Sequence, residues 1–366
     1  MAKRFAIHVL LILMLIGMGK VCQAQDPTFS QFNLNQVYYN AAYLGDHKGY
    51  QVAATYRTQW PNVPGKVFPG PLSTYYAMFD TYLESGKSYA AGAGVFAMQN
   101  FEGQGFLKTT TVGVGYAQHL HKIGGRRGTL PRMQLSLGFK AYLNSYSIDW
   151  DRLVFSDQLD INQGIIGQSA FPQSGMGSKL TVDADLGLLL KNNFKGKDKW
   201  YNEVGFAMAH ILNPSISMTG ASNSDSRLPR KYVASYRTTV NLSKNKVFTG
   251  GTILFEKQQD FYQLNTGIDI YYNPSGGATV IPFWISIMNR LSISPGLGNT
   301  NALIGSLRYK WLMGKKAKAA YYVGFSADLP YSGLALKTKG AYELSLGIIM
   351  PRKGQTSYSR CPHGTF

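Results

Sequence analysis

From about residue 49 to residue 350 the chain alternates between apolar and polar residues with a period of two, in fourteen separate stretches. Met133, Leu135, Leu137, Phe139, Ala141 and Leu143 interleave with Gln134, Ser136, Gly138, Lys140, Tyr142 and Asn144. Leu180, Val182, Ala184, Leu186, Leu188 and Leu190 interleave with Thr181, Asp183, Asp185, Gly187, Leu189 and Lys191. Side chains alternate across a strand, so each stretch has one dry face and one carrying charge, amide or glycine. The stretches fall at 50–58, 72–83, 89–98, 109–120, 132–146, 179–192, 200–210, 231–242, 247–256, 261–272, 279–288, 302–312, 319–329 and 340–350. Most match the roughly 9–11 residues with which a tilted strand crosses a bilayer. Their even number is what single-chain bacterial barrels require. The expected fold is all-β, a transmembrane up-and-down antiparallel β-barrel of about 14 strands.

The connections carry an independent signal. Those at 59–71, 99–108, 147–178, 211–230, 289–301 and 330–339 are long, with 257–260 the exception, whereas the intervening ones are mostly short. Long loops at one end and tight turns at the other mark an outer-membrane barrel. A soluble β-sandwich would also show evenly spaced strands, but it predicts neither that asymmetry nor a dry face on nearly every strand. Glycines within the stretches, such as Gly113, Gly115, Gly138, Gly187, Gly205, Gly305, Gly324 and Gly347, would weaken a sandwich. In a barrel they relieve lumen crowding and permit curvature.

Composition agrees. Only 15% of residues are charged, against about 25% in soluble domains, and mean hydropathy is −0.14 because lipid-facing and lumen-facing residues cancel. Lys3 and Arg4 precede an apolar run from Phe5 to Met18, and Val21-Cys22-Gln23-Ala24 ends in a small residue, the pattern of a cleaved signal peptide over 1–24. The run is too short for the ~20 residues of a membrane-spanning helix. A lipidated Cys22 is rejected because Lys20 stands where such sites want small or apolar residues. The expected organisation is signal peptide 1–24, an N-terminal periplasmic or plug segment 25–49, a barrel 50–350 and a basic tail 351–366. Removing Lys3, Arg4 and Lys20 lowers the net charge from +18 to +15 and leaves Cys361 as a lone thiol facing the periplasm, inert or open to an intermolecular adduct.

Charge is sorted by side. The short turns carry Lys87, Lys122, Arg126, Arg127, Lys195, Lys197, Lys199, Lys244, Lys246, Lys315, Lys316 and Lys318 against Glu84 and Asp198, and the tail adds Arg352, Lys353 and Arg360. The long third loop holds Asp149, Asp151, Asp157 and Asp160 against Arg152. Soluble turns are rich in Lys and Gly, which accounts for much of this. The same ring is also a candidate docking face for an acidic periplasmic partner. Nucleic acid is not an expected partner, since the ring faces the cell envelope.

Enzymatic signatures are missing. Gly92-x-Gly94-x-x-Ala97 lies inside a strand with no following helix, and there is no Gly-x-Ser-x-Gly, His-Glu-x-x-His or Cys pair for zinc. His119 and His121 share one strand face and read as structural. Asp183 and Asp185 are expected to pair with a lumen base such as Lys140 rather than to act as acid and base. No cofactor is expected.

Five segments are distinctive: QDPTFSQFNLNQVYYNAAYLG from Gln25, YRTQWPNVPG from Tyr56, WDRLVFSDQLD from Trp150, LPRKY from Leu228, and a Cys-Pro-x-x-x-Phe terminus. In this order they resemble the PorP/SprF family of type IX secretion system outer-membrane proteins. The family usually has Asn-Pro where this chain has Gln36-Val37, and Asn-Pro-Ala where it has Asn40-Ala41-Ala42, so fewer prolines stiffen the opening here. The terminal motif is also longer here, with His363-Gly364-Thr365 between Pro and Phe. The resemblance implies a non-enzymatic barrel in the Gram-negative outer membrane. It would support export or surface attachment of secreted cargo, including gliding-related adhesins, alongside the type IX translocon and its periplasmic ring components.

Candidate cargo or partner contacts are Arg57, Gln59 and Trp60 at the exit of the first strand, where Trp60 is also a candidate interfacial anchor. Others are Trp150, Asp151, Phe155 and Asp157 in the third loop, which could instead fold back to plug the lumen. Arg230, Lys231 and Tyr232 close the fourth loop, where Arg230 could pair with the third loop's acids. The competing function is a general porin or small-solute transporter; a water-filled lumen would favour it and a filled one oppose it.

Overall fold

The computed structural model describes residues 26–47, 49–61, 72–85, 89–102, 107–123, 132–150, 153–160, 164–165, 167, 169–170, 178–193, 200–218, 227–243, 247–272, 283–293, 301–313, 319–331 and 338–351. The signal-peptide segment, the tail and all nine bases proposed for a docking face (Arg126, Arg127, Lys195, Lys197, Lys244, Lys246, Lys315, Lys316 and Lys318) lie outside the described residues, as do Asp151 and Cys361.

Fourteen strands form one closed antiparallel barrel. They are β1 Gly49–Gln59, β2 Leu72–Ser85, β3 Tyr89–Glu102, β4 Leu107–Ile123, β5 Arg132–Ile148, β6 Ser178–Asn193 and β7 Trp200–Ala209. The second half comprises β8 Lys231–Ser243, β9 Val247–Gln258, β10 Phe261–Tyr272, β11 Phe283–Ile293, β12 Ala302–Met313, β13 Ala319–Pro330 and β14 Ala341–Pro351. Each strand pairs with its neighbours in the chain, and β14 closes on β1 with Pro351 opposite Gly49 and Ala341 opposite Gln59. A closed barrel leaves no unpaired strand edge, the condition for strands to cross a bilayer. Among the described residues no helix is long and apolar enough to cross.

All fourteen expected strands are present, with two displacements. The eleventh runs to Ile293 rather than stopping at 288, because Arg290 and Ser292 continue the inward face beside outward Leu291 and Ile293. A charged residue inside a barrel does not end a strand. The connection expected at 99–108 shrinks to 103–106, because Gln99–Glu102 and Leu107–Thr110 pair with each other.

Outward positions are mainly apolar. Val114, Leu186, Ile253, Ile268, Ile287, Leu307 and Leu344 form the central band. Aromatic residues flank it: Tyr50, Trp200 and Tyr272 towards the short turns, and Tyr56, Tyr75, Tyr232, Tyr262 and Tyr342 towards the long loops. Such girdles mark the two membrane interfaces. Placing a charge in the band is costly: Leu186→Arg will destabilise the barrel by about 2–4 kcal/mol. Urea unfolding in lipid vesicles measures this, and an unchanged midpoint would contradict the placement of Leu186 against lipid.

The buried core lies inside the barrel and is supplied largely by residues 26–47. They form a one-turn helix, α1 Gln36–Tyr39, and a 3₁₀ turn, Ala41–Tyr43. Phe29, Phe32, Leu34, Val37, Tyr39, Tyr43 and Leu44 are buried against Tyr76, Met78, Phe96, Leu189, Val233, Leu254, Tyr322 and Ile349 of the wall. The segment approaches so closely that no side chain fits beneath it at three glycines. A Cβ on Gly138 would lie 2.2 Å from Ala42 N, one on Gly187 2.0 Å from Asn40 Oδ1, and one on Gly92 1.9 Å from the Leu44 carbonyl oxygen. Part of the glycine content of these strands thus follows from the filled lumen.

Candidate functional site

The interior segment is held by polar side chains from all round the wall, arranged in tiers. Near the long-loop end, Glu343 accepts from the backbone N–H groups of Ser30 (2.7 Å) and Gln31 (3.1 Å) and from Asn35 Nδ2 (3.2 Å). Ser30 Oγ donates to Asp328 at 2.6 Å. Arg57 and Arg290 both converge on Asp328 Oδ2, at 2.8 and 2.7 Å, and Arg57 also lies 3.4 Å from Glu343. Two guanidinium groups, two carboxylates and one serine therefore form a single buried cluster, with Arg57 only 3% exposed.

The middle tier reads backbone. Lys140 Nζ donates to the carbonyls of Val37 (3.1 Å) and Tyr38 (2.8 Å) while pairing with Asp185 at 3.0 Å. Arg237 donates to Asn33 Oδ1 at 2.9 Å and pairs with Glu203 at 2.6 Å. In turn Asn40 donates to the wall carbonyls of Leu188 and Phe206. Towards the short turns, Lys191 pairs with Asp46 and Glu203, Asp80 accepts from Gly45 N at 2.7 Å, and His119 Nε2 contacts the Leu44 carbonyl oxygen at 2.8 Å. His119 is structural, and the expected Lys140–Asp185 pair is present.

Strand register explains why these charges meet. Arg57 stands opposite Glu343, Lys140 opposite Asp185, Lys191 opposite Glu203, and Arg237 opposite the same Glu203. Cross-strand opposite charges are favourable, and here each pair turns into the lumen rather than to lipid.

At the long-loop end the segment's first described residue is tied to the end of β9 and to His210, which follows β7. Asp26 N donates to Gln258 at 3.1 Å, and His210 lies between Asp26 and Asp183, 2.7 Å from each. Burial works against a charge on His210, but Asp26 and Asp183 outweigh it and push its pKa up to about 10. Burial also opposes the Asp26 carboxylate, yet His210 and Lys231 hold it well below the usual range. A raised histidine pKa contributes stability fully below the unfolded value of about 6.5, and that contribution is lost as pH rises through about 10. Between pH 6.5 and 10 the parent protein will therefore lose more thermal stability than His210→Gln does; parallel slopes in the two melting series would contradict this.

Beneath the third and fourth loops lies a cavity of about 420 Å³, bounded on one side by Asp26, Pro27, Tyr38 and Tyr39 of the interior segment. Its wall includes Tyr76, Phe96, Tyr142, Tyr146 and Trp150. Among the described residues no group of three or more His, Cys, Asp or Glu is placed to hold a metal ion.

A barrel filled by its own N-terminal segment narrows the field of outer-membrane proteins. Residues 21–348 match the family described as type IX secretion system membrane protein PorP/SprF. The chain belongs to that family. As a PorP/SprF barrel it is a component of type IX secretion located in the Gram-negative outer membrane. No curated protein matches. Among solved structures it is similar to a Pseudomonas aeruginosa FadL homologue, with 11% identity and TM-score 0.47, covering 87% of this chain and 94% of that one. It is also similar to the translocator domain of autotransporter NalP from Neisseria meningitidis (10% identity, TM-score 0.37, covering 87% and 94%). A third is the Acinetobacter baumannii outer membrane protein Omp33 (9% identity, TM-score 0.38, covering 84% and 100%). At these values none of the three bears on what the PorP/SprF barrel does.

The candidate contacts of the PorP/SprF chain separate into two groups. Arg57 and Lys231 are not at the surface, and this corrects their reading as loop contacts: both turn into the lumen. Lys231 pairs with Glu256 at 2.7 Å and sits over the Tyr38 and Tyr39 rings. Tyr232, one residue on, points outward into the aromatic girdle. Gln59 and Trp60 are half-buried, and Trp60 takes a positive φ of 57°, held by donation of its N–H to the Gly340 carbonyl at 2.7 Å. Trp150 and Phe155 are half-buried, and Trp150 lines the cavity. Asp157 is exposed and ties its own loop, accepting from Ser169 Oγ at 2.9 Å and Ala170 N at 2.7 Å, bonds that lower its pKa. Arg230 is exposed and pairs with no acid among the described residues. Sequence reasoning did not single out Asp328, Glu343, Arg290, His210 or Asp26. Their signal was charge on the wet face of an otherwise apolar-faced strand, or in the segment before β1.

Proposed function

We propose that this barrel acts by binding, without catalysis, in the export or surface attachment of particular secreted proteins, gliding-related adhesins among them. The observation that carries the reading is the lumen packed by residues 26–47, which opposes a general porin. With a lumen so filled, the surfaces left for partners are the long loops, the cavity below them and the short-turn end. In the sequence, the short connections between strands carry the basic set Arg126, Arg127, Lys195, Lys197, Lys244, Lys246, Lys315, Lys316 and Lys318. Complementary potentials orient encounter, so an acidic face on a periplasmic translocon or ring component fits there. Replacing Lys315, Lys316 and Lys318 with Glu should reduce co-purification of that component, most clearly at low salt. Equal recovery of the component would remove the docking role from these lysines.

The function itself is tested by comparing surface and culture-fluid proteomes of a strain lacking the gene with its parent. Selective loss of one or a few large surface proteins is expected. Unchanged secretion with altered uptake of small solutes would overturn the reading in favour of a transporter.

A further inference from the structure

The cavity at the long-loop end has the build of a ligand site and a charge imbalance that specifies its ligand. Its volume of about 420 Å³ falls within the roughly 300–1,000 Å³ of ligand pockets, and its walls are mainly aromatic and aliphatic with a few polar groups. Three cations line it, and each is already committed: Lys140 to Asp185, Lys231 to Glu256, and His210 to both Asp26 and Asp183. Three acids line it as well, Asp26, Asp185 and Glu102, and the carboxylates of Asp183 and Glu256 behind the wall bring the acids to five against three cations. Asp26 and Asp183 share one imidazole, and Glu102, on the cavity wall, accepts from Asn100 Nδ2 at 3.0 Å but has no basic partner among the described residues. Asn144, on the same wall, accepts from Thr111 Oγ1 at 2.7 Å, and its amide N–H groups have no partner among the described residues. The site thus offers aromatic surface, a free amide donor and a carboxylate lacking a counter-charge.

We infer that this cavity binds a stretch of polypeptide in which a Lys or Arg adjoins an aromatic or aliphatic side chain. The basic group pairs with Glu102, its apolar neighbour lies among Tyr76, Phe96, Tyr142 and Tyr146, and the Asn144 amide donates to a backbone carbonyl. That the ligand is polypeptide rests on the secretion reading above, and on one structural fact. The floor of the cavity is itself a docked peptide, whose carbonyls Lys140 reads at Val37 and Tyr38. The preference for a cation rests on the cavity alone.

The test is isothermal titration of the full-length purified protein with the capped peptide Gly-Phe-Arg-Phe-Gly, its Gly-Phe-Glu-Phe-Gly counterpart, and decylamine. A hydrogen bond to a charged group is worth about 1.5–3 kcal/mol, so the Arg peptide is expected to bind about tenfold or more tightly than the Glu peptide. Glu102→Gln should remove that difference. Thr109→Trp, which fills the cavity and leaves its charges in place, should abolish binding of both. Equal affinity for the two peptides, undiminished preference in Glu102→Gln, or no binding at all would overturn the inference. Decylamine binding as tightly as the Arg peptide would overturn the polypeptide assignment in favour of a small cationic amphiphile. Lost surface proteins in the deletion strain without peptide binding would sink this site alone and leave the secretion role standing. Peptide binding with unchanged secretion would do the opposite.

Discussion

Deleting residues 26–47 will convert the barrel from a silent protein into a conducting one in planar bilayers. The deletion removes Phe29, Phe32, Leu34, Val37, Tyr43 and Leu44 from the centre of the lumen. It exposes a wall lined by Arg57, Lys140, Glu203, Arg237, Asp328 and Glu343, which water can solvate. Because that wall is charged, the emptied barrel has no reason to collapse on itself. Loss of the apolar packing will also lower thermal stability, so heat-modifiable migration on gels should accompany the recordings as a check of folding. A milder variant separates packing from deletion. Gly138→Val places a side chain where Ala42 N stands 2.2 Å from the Cβ position, and overpacking of this kind costs about 1–3 kcal/mol. It should give intermittent openings. A folded deletion variant as silent as its parent would mean that something other than this segment closes the barrel.

The second large effect is expected at Arg57. Removing one partner of a buried ion pair leaves the other uncompensated, and such losses run to about 3–5 kcal/mol. Arg57→Ala will strip Glu343 of its guanidinium neighbour and leave Asp328 with Arg290 alone. Ser30 and Gln31 hang from these carboxylates through Asp328 and Glu343, so the upper part of the interior segment will loosen with them. Urea unfolding in vesicles measures the loss, and pairing Arg57→Ala with Glu343→Gln should recover part of it. A surface residue reaching for cargo would cost well under 1 kcal/mol on the same assay, so the measurement also distinguishes the two roles Arg57 could play.

The barrel wall was legible because lipid imposes a strict rule. Outward residues in the middle of β5 and β6 must be apolar, so Leu137, Phe139, Val182 and Leu186 announce the period plainly. Inward residues obey no such rule, and the misreadings gather there. Arg290 fell in the connection expected at 289–301, and Arg57 and Lys231 looked like loop contacts, because a charge near a strand terminus has the same appearance whichever way it points. The interior segment was harder still. Its apolar residues follow neither period cleanly, since α1 is a single turn and the rest is irregular chain fitted to the lumen. Residues 25–49 could therefore be read as periplasmic or as a plug from sequence. What was present in the sequence, and only makes sense with the structure, is the set of glycines at 92, 138 and 187, where the interior segment presses on the wall's backbone. The cavity was not legible at all. Its lining comes from β2 to β8, the third and fourth loops and the N-terminal segment, which only closure of the barrel brings together.

The occupied lumen is tested most directly in living cells by thiol cross-linking between the interior segment and the wall. Cysteines replacing Ser30 and Asp328, whose side chains lie 2.6 Å apart, in a Cys361→Ser background, should react with a short bifunctional thiol reagent. The product would be an intramolecular species of altered gel mobility in nearly all of the protein. A control pair of Ser30→Cys with a cysteine at outward-facing Leu186 should give none. Cross-linking absent from the first pair, with both thiols individually reactive, would place residues 26–47 outside the barrel and return the porin to consideration.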